Sequence, residues 1–179
     1  LPLEEVLTKA DAVTLHTPLT KEGDDSTYHL ISEPQLQLMK PGAILVNAAR
    51  GPVVDNRAWT EWLDKGLGKG VVDVWEGEPE INRELLSKAV IATPHIAGYS
   101  REGKERATRM VLEAVEGKFG VTLDKSGLEG AYVAPSGSID STAIIESYNP
   151  DSDTERLRSH PENFEQLRSD YDYRREVKF

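Results

Sequence analysis

The sequence predicts an α/β fold built on a parallel sheet, with a smaller second module after it. Three observations carry this reading. Four short apolar runs recur along the chain before about residue 95, helical patterns separate them, and the character of the sequence changes after about residue 120. Continuous apolar runs of this length suit strands buried on both faces. Strands alternating with helices imply βαβ units and a parallel sheet with right-handed crossovers.

The strands read as AVTLH (12–16), AILVNA (43–48), GVVDVW (70–75) and AVIAT (89–93). Between the first two, Ser32 and Gln35 form a capping box ahead of LQLMK, which Pro41-Gly42 stops. Asp55 or Asn56 caps RAWTEWLDK, and Gly66 ends it. Asn82 caps RELLSKA. Ser100 caps a longer helix running to Phe119, with Ala107, Val111, Ala114, Val115 and Phe119 near one face. Trp59, Trp62 and Trp75 read as core or interface residues.

Beyond residue 120 comes a Gly/Ser-rich connection, DKSGLEGAYVAPSGS, then STAIIESY, then an acidic run at 150–155 that reads as a solvated loop. PENFEQLRSDYDYRR is amphipathic, with Phe164, Leu167 and Tyr171 at helical spacing. The opening Leu1-Pro2-Leu3 and the closing RREVKF, which reads as the start of a strand, look like cut ends.

Composition excludes several classes of function. The net charge is −10 with no basic cluster, against the cationic footprint that nucleic-acid binding needs. The longest apolar runs fall far short of a membrane span, and no secretory signal is visible. The absence of cysteine removes disulfide frameworks and thiolate metal sites and fits a reducing compartment. The histidines are four (His16, His29, His95, His160), and no pair stands at helical ligand spacing, so no metal site is expected. The stretch GLGKG (66–70) looks like a phosphate loop. It follows a helix and precedes a strand, the reverse of a dinucleotide fingerprint, and reads as a helix stop and turn.

The chemistry sits at the strand ends. The first strand ends in His16-Thr17, the second in Asn47 and then Arg50-Gly51. The third carries Asp73 followed by Glu76 and Glu78, and the fourth leads into Thr93-Pro94-His95. Parallel strands point these ends the same way, and open α/β sheets bind ligands beyond them. An imidazole that takes and gives protons, a carboxylate that fixes its tautomer, and a guanidinium that grips a carboxylate make a usable set. Together they suit redox chemistry at a carbon bearing a hydroxyl beside a carboxylate. Blander readings stand beside this one. Taken alone, His95 could be structural, Arg50 could pair with Asp55, Asp73 could only cap a turn, and Glu78 could belong to a solvated EGEPE loop. His16 and Thr17 read more readily as structural than catalytic.

The runs HTPLT, LMKPGAILVNAARGPVVDN, DVWEGEP and TPHIAGYS resemble the D-isomer-specific 2-hydroxyacid dehydrogenases. The resemblance is strong over roughly residues 1–120 and loose beyond. It implies the C-terminal half of a Rossmann-type NAD-binding domain over 1–98, a helix returning toward a substrate domain over 99–122, and an incomplete α+β dimerisation domain over 123–179. It implies that Arg50 holds the substrate carboxylate, Glu78 is the acidic partner and His95 the acid/base. Thr17, Ala48, Ala49, Arg50, Asp73 and Gly98 match cofactor-contacting positions. Tyr99 matches a substrate-contacting tyrosine of one branch, whose substrates are small phosphorylated 2-hydroxy acids. The implied cofactor is NAD, the implied assembly a cytoplasmic homodimer. The family's glycine loop, acidic ribose-binding residue and substrate domain match nothing in the chain and are expected upstream of Leu1. The chain alone is accordingly expected to bind NAD poorly and to be inactive.

Overall fold

A computed structural model describes residues 1–128 and 141–176. The chain divides into two compact units: Leu1–Ala97 with Pro150–Asp170, and residues 98–149 with 171–179.

The first unit runs α1 (Leu3–Lys9), β1 (Ala12–Leu15), α2 (Glu33–Leu38), β2 (Ala43–Asn47), α3 (Asn56–Asp64), β3 (Gly68–Val72), α4 (Arg83–Lys88) and β4 (Ile91–Ala92). All four strands are parallel, in the order β1-β2-β3-β4. The expected caps form. Ser32 donates to Gln35 Oε1 from both its backbone N (3.2 Å) and its hydroxyl (2.7 Å). Asp55 accepts from Arg57 N and Ala58 N, and Asn82 accepts from Glu84 N and Leu85 N. Each cap satisfies N–H groups that the first helical turn leaves unpaired.

Alternate positions face one densely filled side. Val13, Leu15, Ala43, Leu45, Val72 and Ala92 are buried there with Leu7, Leu36, Trp59 and Leu85 from the helices. Room for the tryptophans comes from β3. A Cβ on Gly68 would lie 1.8 Å from Trp62 Cη2, and one on Gly70 would lie 3.4 Å from the Trp59 ring. GLGKG is therefore more than a helix stop, because its last three residues open β3 and the two glycines among them, Gly68 and Gly70, make room for the α3 indoles. Truncating a buried tryptophan such as Trp59 costs about 3–5 kcal/mol.

In the first unit two sequence expectations change. The strands end sooner than their apolar runs, because the residues past Leu15, Asn47, Val72 and Ala92 turn away to form loops. The acidic run at 150–155 is no loop. It lies in α7 (Pro150–Ser159), followed by α8 (Phe164–Ser169). These helices belong to the first unit. The reason is a half-hidden apolar face. Leu157 and Phe164 are fully buried in the same core, and Thr154 is 2% exposed. Thr154 Oγ1 accepts from Ala92 N at 3.0 Å and donates to Pro150 O at 2.9 Å. Arg158 donates to Leu86 O and Ala89 O. The β4 edge is thus covered, one of the ways proteins blunt an exposed strand.

In the second unit, α5 (Arg101–Phe119) is capped by Ser100, whose hydroxyl accepts from Gly103 N. The α5 face expected to be apolar is not buried among the described residues, and Met110, Val111 and Phe119 are exposed. Residues 171–176 lie beside the start of α5: Arg101 N donates to Arg174 O, and Arg106 pairs with Glu176. STAIIESY supplies α6 (Ser141–Ser147). Most of the Gly/Ser-rich connection and the end of RREVKF lie outside the described residues. Among the described residues no helix is long and apolar enough to cross a membrane.

Thr154→Val keeps the shape of the side chain but leaves the buried Ala92 N–H without an acceptor. It is expected to lower unfolding free energy by about 1–3 kcal/mol in denaturant titration, with Thr154→Ser recovering most of the loss. Equal midpoints for wild type and the valine variant would contradict the assignment of α7 as the cover of β4.

Candidate active site

The register aligns the strand tips in one row. Leu15 pairs with Asn47, Asn47 with Val72, and Val72 with Ala92. The chain therefore leaves the sheet at four neighbouring points on a single rim, and each exit loop carries residues singled out from the sequence.

The first exit holds His16 and Thr17. His16 is exposed, its Nε2 within 2.8 Å of Thr14 Oγ1. Thr17 Oγ1 is buried and has no hydrogen-bond partner among the described residues. A buried hydroxyl without a partner is rare, and at a rim it fits a ligand's polar group.

The second exit is shaped by Asn47, which is fully buried. Its side-chain amide donates to Arg50 O (3.0 Å), and its oxygen accepts from Ala49 N (3.1 Å). The result is a tight turn that delivers Arg50 to the surface. Arg50 Nη1 donates to Ala49 O at 2.6 Å, and no carboxylate among the described residues pairs with it. Pairing with Asp55 does not occur, because Asp55 is spent capping α3. Gly51 packs this turn against the third exit. A Cβ there would lie 2.0 Å from Trp75 O, so only glycine permits the approach.

At the third exit Asp73 is 5% exposed. Its Oδ1 accepts from Thr93 Oγ1 (2.7 Å), Ile96 N (2.8 Å) and Ala97 N (3.0 Å). Its backbone oxygen accepts from His95 N at 2.8 Å. Asp73 therefore holds the turn that carries His95, whose φ of 56° is left-handed, a region that an L-residue adopts at a cost and keeps only when its surroundings enforce it. Burial pushes the Asp73 carboxyl up from its ordinary value, against the opposing pull of those hydrogen bonds.

Glu78 completes the third exit. Its Oε1 accepts from Trp75 N at 2.8 Å, and its Oε2 lies 2.8 Å from His95 Nδ1. Glu78 is thus no residue of a solvated loop. A carboxylate only accepts, so the proton between them belongs to Nδ1. The neutral ring then carries its lone pair on Nε2, which meets no protein partner among the described residues. The chain of contacts from Arg50-Gly51 through Trp75 to Glu78 and His95 is unbroken.

Residues 1–97 match the D-isomer specific 2-hydroxyacid dehydrogenase family, NAD binding domain. The chain belongs to this family. It is 43% identical over 182 residues to an erythronate-4-phosphate dehydrogenase of Bacteroides thetaiotaomicron, covering 98% of this chain and 51% of that protein. It is 42% identical over 188 residues to one from Escherichia coli O157:H7, covering 97% and 50%. The chain thus spans about half the length of the curated relatives it matches. Among solved structures, the apo form of Rhodotorula graminis D-mandelate dehydrogenase matches with TM-score 0.59 at 35% identity, over 64% of this chain and 33% of that one. An Aquifex aeolicus D-lactate dehydrogenase complexed with NAD and lactic acid matches with TM-score 0.58 at 31% identity, over 67% and 40%.

Of the residues the family resemblance marks, Thr17, Ala48, Ala49, Arg50, Asp73, Glu78 and His95 lie at one rim of the first unit. Gly98 and Tyr99 belong to the second unit. There the Tyr99 ring stands edge-on to Tyr173 at 5.6 Å, with Lys104 Nζ 3.7 Å from its centroid. Sequence reasoning offered Asn56 only as an alternative cap of α3 and assigned no role to Asn47, His29 or Glu76. For Asn47 the signal was available, a polar residue ending an otherwise apolar strand. The other three depend on contacts remote in sequence.

Asp73→Asn separates support from charge, since an amide oxygen can accept the same three bonds. The folded state holds the protonated Asp73 better than the unfolded chain does. Its contribution to stability is fully present below the unfolded pKa and is lost as pH rises through the folded one. The variant is therefore expected to melt higher than wild type at neutral pH, with the gap closing toward about pH 4. A wild type that melts higher at neutral pH would contradict the stated cause.

Proposed function

We propose that this chain supplies the catalytic rim of an NAD-dependent dehydrogenase that oxidises 4-phospho-D-erythronate at its C2 hydroxyl to the 2-oxo acid, in pyridoxal 5′-phosphate biosynthesis. The observation that carries the reading is the Glu78–His95 pair, its Nε2 unpartnered among the described residues, at the same strand-end rim as an arginine that has no carboxylate partner among them.

In this reading Arg50 clamps the substrate carboxylate with its planar fork, a match that an ammonium does not reproduce. That clamp turns the C2 hydroxyl toward His95. Nε2 takes the hydroxyl proton as the C–H bond breaks, and Glu78 on Nδ1 stabilises the resulting imidazolium. NAD, when bound, accepts the hydride. Thr17, with a buried hydroxyl unpartnered among the described residues, the backbone of Ala48 and Ala49, and Asp73 would hold it. Run in reverse, imidazolium returns the proton to the oxo group. Tyr99 would meet the substrate, as the resemblance implies.

The preference for a phosphorylated substrate rests on the identity to the two erythronate-4-phosphate dehydrogenases across nearly the whole chain. A homodimer belongs to the same proposal, supported by the apolar Met110, Val111 and Phe119 that α5 presents, and a cytoplasmic location belongs to it on the resemblance alone.

The test is a chimera in which this chain replaces the matching half of the Bacteroides thetaiotaomicron relative. It should form NADH from 4-phospho-D-erythronate faster than from D-lactate, D-glycerate or D-3-phosphoglycerate. His95→Asn should cut kcat by about 10²-fold or more, the scale of lost acid–base catalysis. Arg50→Lys should raise KM as well. A folded, NADH-binding chimera whose His95→Asn form keeps its rate would overturn the mechanism. Faster turnover of an unphosphorylated acid would overturn the substrate.

A further inference from the structure

Among the described residues, only two other than glycine have a positive φ, and both are histidines: His95 at 56° and His29 at 51°. Each pairs with a glutamate of the same short run, Trp75–Pro79. His95 Nδ1 meets Glu78 at 2.8 Å, and His29 Nε2 meets Glu76 at 2.7 Å. The loop is gripped from both sides by imidazoles held in strained turns. The family reading uses only one of the two.

The second grip reaches further than its own pair. The other Glu76 oxygen accepts from Asn56 N at 2.9 Å, and Glu76 N donates to Asn56 Oδ1 at 3.2 Å. Asn56 opens α3, directly after the 50–54 turn that presents Arg50. His29 N donates to Pro52 O at 2.8 Å, inside that turn, and Ile31 N donates to Val53 O at 3.1 Å. Asp55 Oδ2 lies 3.8 Å from His29 Nδ1, and the Tyr28 ring stacks on the imidazole at 4.1 Å. His29 and Glu76 therefore join three segments: the one leading into α2, the Arg50 turn and the Glu78 loop. The His29 and Glu76 side chains are 30% and 28% exposed, so the pair is only partly screened by water.

Resting on the dehydrogenase reading above, we propose that His29 and Glu76 are positioning residues: a second imidazole–carboxylate pair that fixes the Glu78 loop against the Arg50 turn and so keeps Glu78 on His95 Nδ1. Neither reaches the reacting atoms. Glu76 and Glu78 flank Gly77, at a φ of 77°, so the run has a soft point between the two grips. When the outer grip is released, the loop can turn at Gly77 and Glu78 drifts from the imidazole. The expected consequence is a loss of order at His95 without loss of the fold, since the core beneath is packed independently.

The experiment is imidazole NMR on the 179-residue chain labelled with 15N-histidine. A downfield Nδ1 proton that disappears in Glu78→Gln identifies the Glu78–His95 bond. In His29→Ala this signal should broaden or vanish while the spectrum stays dispersed and melting stays cooperative. In His29→Gln, whose amide N–H can still donate to Glu76, it should return. An unchanged His95 signal in His29→Ala, or a glutamine variant as poor as the alanine one, would overturn the brace. Should His29→Ala fail to fold, Glu76→Gln asks the same question: loss of the His95 signal supports the proposal and its persistence overturns it. None of these readouts uses turnover, so the brace can fail while the dehydrogenase reading stands, and the chimera can fail while the brace stands.

Discussion

Parallel register is the constraint on which the site depends. Leu15, Asn47, Val72 and Ala92 are successive partners across the sheet, so the four chains leave it side by side. Residues separated by dozens of positions in sequence then need only short loops to meet. A register slip of one residue in any strand would turn its buried side chains outward and displace its exit loop together. The core and the site are therefore specified by the same pairing. The tryptophans of α3 reinforce it, since Trp62 and Trp59 sit where Gly68 and Gly70 have no side chains.

Beyond the sheet, buried polar groups convert a rim into a site. Asn47 folds the Arg50 turn, and Asp73 ties down the His95 turn. Each is nearly inaccessible, and each bonds to backbone groups of the loop it organises, Asp73 also accepting from Thr93 Oγ1. Burying a carboxylate at Asp73 opposes stability at neutral pH, and the left-handed turn at His95 adds strain. Both costs fall at the one place where the fold presents its chemistry.

How much of this was legible in the sequence varies with how local the cause is. The capping residues Ser32, Asp55, Asn82 and Ser100 act within three positions of themselves, and each is where the pattern places it. The meeting of Arg50 with the Glu78–His95 loops follows from parallel strands alone, so it too could be argued before any coordinates. Family resemblance supplied the roles of Glu78 and His95 beyond that geometry. The acidic 150–155 run misled because Asp151 and Glu155 face water while Asp153, Thr154 and Leu157, on the same helix, are buried. Strand ends came out too long because apolar residues such as Val74 and Trp75 are buried in loops, which apolar runs do not distinguish from strands. His29 stayed invisible because its partners Glu76, Pro52 and Asp55 are joined to it only by the fold.

The central claim is that ligand chemistry sits at the C-terminal rim of the sheet and nowhere else on the first unit. Backbone amide shift mapping of the 15N-labelled chain, titrated with NADH and 4-phospho-D-erythronate, tests it most directly, because it reads location even when binding is weak. The account predicts that first-unit shifts cluster at Thr17, Ala48–Gly51, Asp73, Trp75–Glu78 and Thr93–Ala97. Shifts concentrated instead at the opposite strand ends, around Asp11, Gly42, Leu67 and Val90, or along the outer faces of α1–α4, would contradict it.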